Sequence, residues 1–306
     1  MSKKIYAFWW EHENDTCLNF GDILTPVLIK KLSGRKFVRR VSCSKISIFL
    51  ILKKIYGFFA RKNSWKELKY TFLGWTARKI ILACGSIIQW NEQKKSVIWG
   101  SGLIFRNVNP QKCEVRAVRG PFTRKELLML GFDVPPIYGD PAILLPLVYA
   151  PRIEQKFDLA LIPHYTHFRF ASENLKNHPA QIIDLLNINP LEVVDQILAC
   201  KMVLSSSLHG LIAAHTYGIP ALWVNFGDIS WYGDNIKFQD YFASVGIDCY
   251  EPIELSEEML RDYKSLFEKY EHLALPTTDL DSIRKNLIEC APFPVLPEIK
   301  AKWKTN

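Results

Sequence analysis

A chain of 306 residues is too long for one small core and fits two domains of ordinary size. Hydrophobic residues make up 48% and charged residues 23%, with no low-complexity tract or internal repeat, which excludes disordered and fibrous classes. The net charge of +8 points to anionic partners without choosing among polyanions, membrane surfaces and small substrates, and a lysine-rich solvated surface gives the same number. Seven cysteines, at 17, 43, 84, 113, 200, 249 and 290, form no C-x-x-C pair and match no zinc spacing. An odd, dispersed set of thiols reads as reduced and cytoplasmic.

Residues 1–10 lack a long apolar run and a small-residue cleavage site, so they read as a first strand over 5–10 and not as a signal peptide. A helix is expected over 22–32, apolar at Ile23, Leu24, Val27, Leu28 and Leu32. Segment 45–62 stands apart. Ile48, Leu52, Ile55 and Phe59 fall on one helical face, and Lys53, Lys54 and Arg61 fall together on another, within about 100° of arc. Its apolar run is too short to cross a bilayer. It fits a helix lying on a membrane surface, and equally an amphipathic helix packed on its own domain.

Residues 80–84 and Ser96–Trp99 are short buried strands, each followed by Gly and Ser. Another strand covers 115–118, and a helix over 123–130 is closed by Gly131. A second unit opens near Pro151. It has strands at Phe157–Ile162, 202–204 and 221–224, and helices at 191–199 and 208–217. Strands alternating with helices imply parallel sheets covered on both faces. The expected architecture is α/β, with two doubly wound Rossmann-like domains, 1–150 and 151–306, facing each other across a cleft. Ligands then bind beyond the carboxyl ends of the strands.

Four motifs fall at such ends. Ser205-Ser206-Ser207-Leu208-His209-Gly210 places three hydroxyls, free backbone N–H groups and a histidine at a helix start, where the dipole favours an anion such as phosphate. Plain capping explains the serines equally well. Arg119 follows the strand over 115–118 and could hold a carboxylate or phosphate through its planar fork; a surface arginine is the plainer reading. His164 and His167 follow Phe157–Ile162 and could serve acid–base chemistry. Their spacing also suits a metal, but no third ligand accompanies them, so no metal is expected. Asn19-Phe20-Gly21-Asp22 offers a capping residue and a glycine that permits close approach. Gly85-Ser86 and Gly100-Ser101-Gly102 lack the dinucleotide fingerprint.

The order of these pieces is more specific than any one of them. Asn19-Phe20-Gly21-Asp22, Gly85-Ser86, Gly100-Ser101-Gly102, Val118-Arg119-Gly120-Pro121, Gly139-Asp140-Pro141-Ala142, Pro163-His164 and the block from Ser205 to Pro220 together resemble the polysaccharide pyruvyltransferase family, over about residues 5–246. The resemblance implies a glycosyltransferase-B-like pair of domains, with the acceptor on the first and the donor on the second. It implies phosphoenolpyruvate as co-substrate, a polysaccharide or its lipid-linked precursor as acceptor, and no further cofactor or metal. By the family pattern Arg119 binds the donor and Leu208-His209 lie in the donor site, with Asn19 and Asp140 also at the substrate.

One departure matters. Many members carry Arg directly before Leu-His, where this chain has Ser207. Donor anchoring then falls to Ser205, Ser206, Ser207, helix N–H groups and other basic residues. The chemistry needs a proton for the enol carbon and a base for the attacking hydroxyls, which assigns His209 as acid and His164 or Asp22 as base. If segment 45–62 meets lipid, the protein sits peripherally on the cytoplasmic face of the membrane. Two other readings stay open. One is a nucleotide-sugar glycosyltransferase of the same fold. The other, a basic nucleic-acid-binding protein, lacks the clustered basic and aromatic residues that reading needs, so no nucleic-acid partner is expected.

Overall fold

The computed structural model describes residues 4–11, 19–45, 47–60, 64–175, 178–187, 189–227 and 233–302. Its strands form two parallel five-stranded sheets. The first holds β1 (Ile5–Phe8), β2 (Val38–Arg40), β3 (Ile80–Leu82), β4 (Ser96–Trp99) and β5 (Glu114–Ala117), in the order β2-β1-β3-β4-β5. The second holds β6 (Phe157–Ile162), β7 (Gln181–Ile182), β8 (Cys200–Ser205), β9 (Ala221–Asn225) and β10 (Ile253–Glu254), in the order β10-β9-β8-β6-β7. Counted from its own first strand, each sheet reads 2-1-3-4-5. In each, the chain moves out to one side of its first strand and then returns to the other side. That reversal opens a crevice at the carboxyl ends of the first and third strands, where doubly wound sheets bind ligands.

The interior strands are the apolar runs expected from the sequence. β3, β4 and β9 are buried at every position, as a parallel strand covered on both faces requires. The covering helices are α1 (Phe20–Ser33), α2 (Ile48–Phe59), α3 (Trp65–Thr76), α4 (Pro121–Met129), α5 (Leu145–Val148), α6 (Phe168–Asn174), α7 (Pro190–Leu198), α8 (Leu208–Thr216), α9 (Ile236–Val245), α10 (Glu257–Arg261), α11 (Tyr263–Lys269), α12 (Leu280–Glu289) and α13 (Pro297–Ala301). Helix α1 buries Leu24, Leu28, Ile29 and Leu32 on one face. It begins two residues before the expected start, because Phe20 is itself core. Helix α4 ends near the expected place, and Gly131 just beyond it takes φ of 75°, the left-handed turn of a common helix end.

Within segment 45–62 lies α2, capped by Ser47, whose hydroxyl accepts the Leu50 N–H at 3.1 Å. Its expected apolar face does not pack as one unit: Ile55 is half-buried, while Leu52 and Phe59 are exposed. The Ile48 side chain, Arg61 and Lys62 lie outside the described residues. Helix α3 follows at once, capped in the same way by Ser64. Among the described residues no helix is long and apolar enough to cross a membrane.

The C-terminal stretch returns to the first sheet. The Trp99 indole donates to the Leu287 carbonyl at 2.9 Å and meets Phe293 edge-to-face at 5.1 Å. The Leu296 N–H donates to Leu32 O at 2.9 Å.

Candidate functional site

The two crevices share one cleft of about 610 Å³. From the first sheet it takes Trp10, Asn19, Asp22, Gly85, Ser86 and Trp90; from the second, His164, Tyr165, Ser207, Leu208, His209 and Lys237.

The floor on the second side is built by β8 running into α8. Ser205 is internal: its hydroxyl donates to Ile162 O at 2.9 Å and accepts the Ser207 N–H at 3.0 Å. Ser206 is internal as well, its oxygen accepting the His164 N–H at 2.8 Å. These two serines fasten β8 to β6, and neither hydroxyl faces the cleft. Ser207 does line the cleft. It stands at the N-cap of α8, yet its side chain makes no capping bond. The expectation of three serines at a ligand therefore narrows to one, because successive residues at a strand end point in different directions.

His209 lies in the first turn of α8, held between two groups from the first half of the chain. On one side its Nε2 lies 3.6 Å from Asp140 Oδ2. Both atoms are buried, and among the described residues neither has a hydrogen bond. Asp140 is fully buried and caps the turn Pro141–Leu144, its Oδ1 accepting the Ala142 N–H at 3.0 Å. Burial pushes the Asp140 carboxyl up, but the His209 ring, the Ala142 N–H and Arg119 outweigh it and hold the group below the usual carboxylate range. Asp140 was expected at the substrate; it stands behind His209 and does not line the cleft.

On the other side the ring lies against Gly21. A Cβ at residue 21 would sit 2.1 Å from His209 Nδ1, so only glycine fits there. Helix α1 is brought to this contact by the Phe20 N–H, which donates to Leu185 O at 2.9 Å, and by a bridge between Asn19 and Leu186. The Asn19 amide donates to Asp22 Oδ2 at 2.7 Å, and both residues line the cleft.

Arg119 differs from its expectation. It is fully buried and does not line the cleft. Its Nη1 donates to Ser86 Oγ at 2.7 Å, its Nη2 donates to Leu103 O at 2.8 Å, and its Nε lies 3.5 Å from Asp240 Oδ2. Asp240, also fully buried, accepts the Thr123 N–H at 2.9 Å and the Thr123 hydroxyl at 2.6 Å. The guanidinium thus supports the wall from behind, under Ser86.

A cation that the sequence reading missed lines the cleft in its place. Lys237, in the first turn of α9, lines the cleft, and burial together with the positive charge of Arg119 pushes its pKa down to about 8. Nothing in the local pattern distinguishes this lysine; it reads as the polar face of an ordinary helix. Opposite, Trp10 and Trp90 stack at 5.2 Å with planes 29° apart, a pairing invisible in sequence because β1 and the turn after β3 meet only in the fold.

His164 lines the cleft with its Nδ1 2.7 Å from Thr166 Oγ1. Burial first, then Lys237 and His167, push its pKa down to about 3. A ring so weakly basic stays neutral and is a poor proton acceptor, so of the two expected bases Asp22 is the better placed chemically. His167 is buried beneath it, 3.5 Å from Ser206 Oγ. Among the described residues no group of His, Cys, Asp and Glu is arranged to hold a metal.

Comparison with known proteins gives the chain's family. An uncharacterized protein of Acanthamoeba polyphaga mimivirus is 36% identical over 172 residues, 54% of this chain and 59% of that protein, so the chain spans less than two thirds of its relative's length. The sequence model for polysaccharide pyruvyl transferase matches residues 19–228. That span opens on Asn19 and runs past His209, while Trp10 and Lys237 of the cleft lie outside it. The chain belongs to the polysaccharide pyruvyl transferase family.

Proposed function

We propose that this protein transfers pyruvate from phosphoenolpyruvate to a hydroxyl pair of a saccharide, forming a cyclic ketal and releasing phosphate. The observation that carries this reading is His209, backed by buried Asp140 at the start of α8 and opening into a cleft that holds one lysine. Phosphoenolpyruvate carries a phosphate and a carboxylate. The phosphate suits the free N–H groups and dipole of the α8 start beside Ser207; the carboxylate suits Lys237. His209 donates a proton to the terminal enol carbon, which becomes the ketal methyl group. A sugar hydroxyl attacks the resulting cationic carbon and yields its proton to Asp22. Loss of phosphate regenerates the cation, and the second hydroxyl closes the ring. Two protons leave the diol and one enters the methyl group, so one remains for the departing phosphate.

The stacked Trp10–Trp90 pair offers the sugar an apolar face to rest on, which supports an acceptor on residues 1–150 and a donor on 151–306, in a glycosyltransferase-B-like pairing. The acceptor is a saccharide repeat unit or its lipid-linked precursor, met at the inner face of the membrane. Incubation with phosphoenolpyruvate and a lipid-linked saccharide tests the reading. Mass spectrometry is expected to find one added pyruvyl ketal per released phosphate. Release of a nucleoside diphosphate from a nucleotide sugar, with no phosphate from phosphoenolpyruvate, would replace it with glycosyl transfer.

Lys237 carries a prediction of its own. Only its charged form attracts the donor, and that form is lost as pH rises through about 8. The kcat/KM for phosphoenolpyruvate should therefore fall on the alkaline side near that pH, and Lys237→Arg should move the fall upward. Lys237→Gln should raise the KM about ten- to a hundredfold, the weight of one charge-assisted bond. An unchanged alkaline limb in the arginine variant removes Lys237 from the donor site.

A further inference from the structure

Helices α2 and α3 form a hairpin whose outer surface is aromatic. On α2, Phe49, Leu52, Tyr56 and Phe59 are exposed, and at 3.6 residues per turn they fall within roughly 80° of arc. On α3, Trp65, Phe72 and Trp75 form a second exposed stripe of similar width. The exposures of these seven side chains run from 49% to 78%. The hairpin packs through its other face, where Gly57, Thr71 and Gly74 are buried. Lys54 pairs with Glu67 across it at 3.0 Å. Phe58 joins the two stripes, its ring 5.7 Å from those of Phe59 and Trp65, and a contiguous exposed apolar surface marks an interaction site.

Its charges select the partner. Helix α2 has no acidic residue, and the single one on α3, Glu67, is paired with Lys54. Lys53 and Lys69 flank the two stripes. Beside Lys69 opens a second cavity of about 430 Å³, lined by Trp9, Phe37, Arg39, Arg40, Lys69 and Tyr70. Arg40 is occupied there: its Nε donates to Trp9 O at 2.9 Å, and its guanidinium stacks on Tyr70 at 4.5 Å. Arg39 and Lys69 are exposed and have no acidic partner among the described residues. Aromatic rings beside cations, with a cationic cavity at their edge, match the headgroup layer of an anionic bilayer, where Trp and Tyr settle at the interface and Lys and Arg meet phosphate. A second copy, equally basic at +8, would bring like charge to the same surface.

We propose that the α2–α3 hairpin docks on an anionic phospholipid bilayer, with a lipid phosphate seated in the cavity between Arg39 and Lys69. The inference refines the lipid-linked-acceptor reading above and rests on it for its purpose, but its test needs no acceptor, so the two fail separately. Trp9 lines this cavity and Trp10 lines the main cleft. The docked face is thus one residue from the acceptor side of the site, on the far side of the end of β1.

The test is sedimentation of the full chain with vesicles of phosphatidylcholine alone and of phosphatidylcholine mixed with phosphatidylglycerol, with tryptophan emission recorded alongside. Wild type is expected to bind the mixed vesicles, with emission shifted to the blue, and to bind the neutral ones weakly. Combining Arg39→Glu with Lys69→Glu should weaken binding to mixed vesicles about tenfold or more. Phe49→Ser with Phe59→Ser should abolish the emission shift while the thermal transition stays in place, since both side chains are exposed. The proposal is overturned if wild type ignores mixed vesicles or binds both kinds equally. It is also overturned if the protein self-associates in sedimentation velocity and the serine variant is monomeric, which would give the surface to a second copy.

Discussion

Replacing His209 with glutamine is expected to lower turnover about 10²–10⁴-fold, the range a general acid contributes. Glutamine keeps a hydrogen-bond donor at the start of α8 but cannot deliver a proton to carbon. His209→Ala should lose as much turnover and weaken donor binding besides. Phosphate release at saturating phosphoenolpyruvate reads the first effect, and the dependence on donor concentration reads the second. Near-normal turnover in the glutamine variant would reduce His209 to an anchor while leaving pyruvyl transfer standing. Two neighbours should reproduce part of the loss. Asp140→Asn keeps the size of the carboxyl and its cap on Ala142 but removes the negative charge 3.6 Å from Nε2. Gly21→Ala introduces a methyl 2.1 Å from Nδ1, so the ring or α1 must shift; its turnover should fall while secondary structure by circular dichroism is unchanged.

The other large effect falls on stability. Arg119→Ala leaves Asp240 buried without its cation and strips a donor from both Ser86 and Leu103. Breaking one side of a buried pair costs about 3–5 kcal/mol. Arg119→Lys should recover little, because an ammonium cannot reach three partners through a planar fork. In urea the midpoint should drop with an unchanged slope, the signature of lost stability without a changed denatured state. The family pattern put Arg119 on the donor, where the effect would instead appear as a raised KM in a protein of normal stability. That outcome would restore it to the site.

The contrast between these residues marks what the sequence could reveal. Central strands such as β3, β4 and β9 were legible because a parallel strand buried on both faces is an uninterrupted apolar run. β2 and β7 were not. They lie at sheet edges, span three and two residues, and carry polar side chains. Helix α3 was missed because Trp65, Phe72 and Trp75 face outward, so its apolar residues mark no core. At the site, parts of four strand-end motifs come together in the cleft, since chain order fixes which loops meet at a switch point. Which atom faces the cleft is a matter of partners. Arg119 turns inward because Asp240, far along the chain, waits there. Lys237 faces the cleft for reasons no local pattern records.

The contacts that define the site also run between the two sheets. Asp140 belongs with the first and His209 with the second; Phe20 reaches across to Leu185, and Arg119 to Asp240. On the proposed reading, the proton donor is therefore assembled by apposition of the halves and does not reside in either one. If the sheets part to admit a bulky saccharide, His209 loses its carboxylate and its glycine seat in the same movement. An open molecule could then hold phosphoenolpyruvate on α8 without protonating it, and the reactive enol would be spared from wasteful hydrolysis until the acceptor is enclosed.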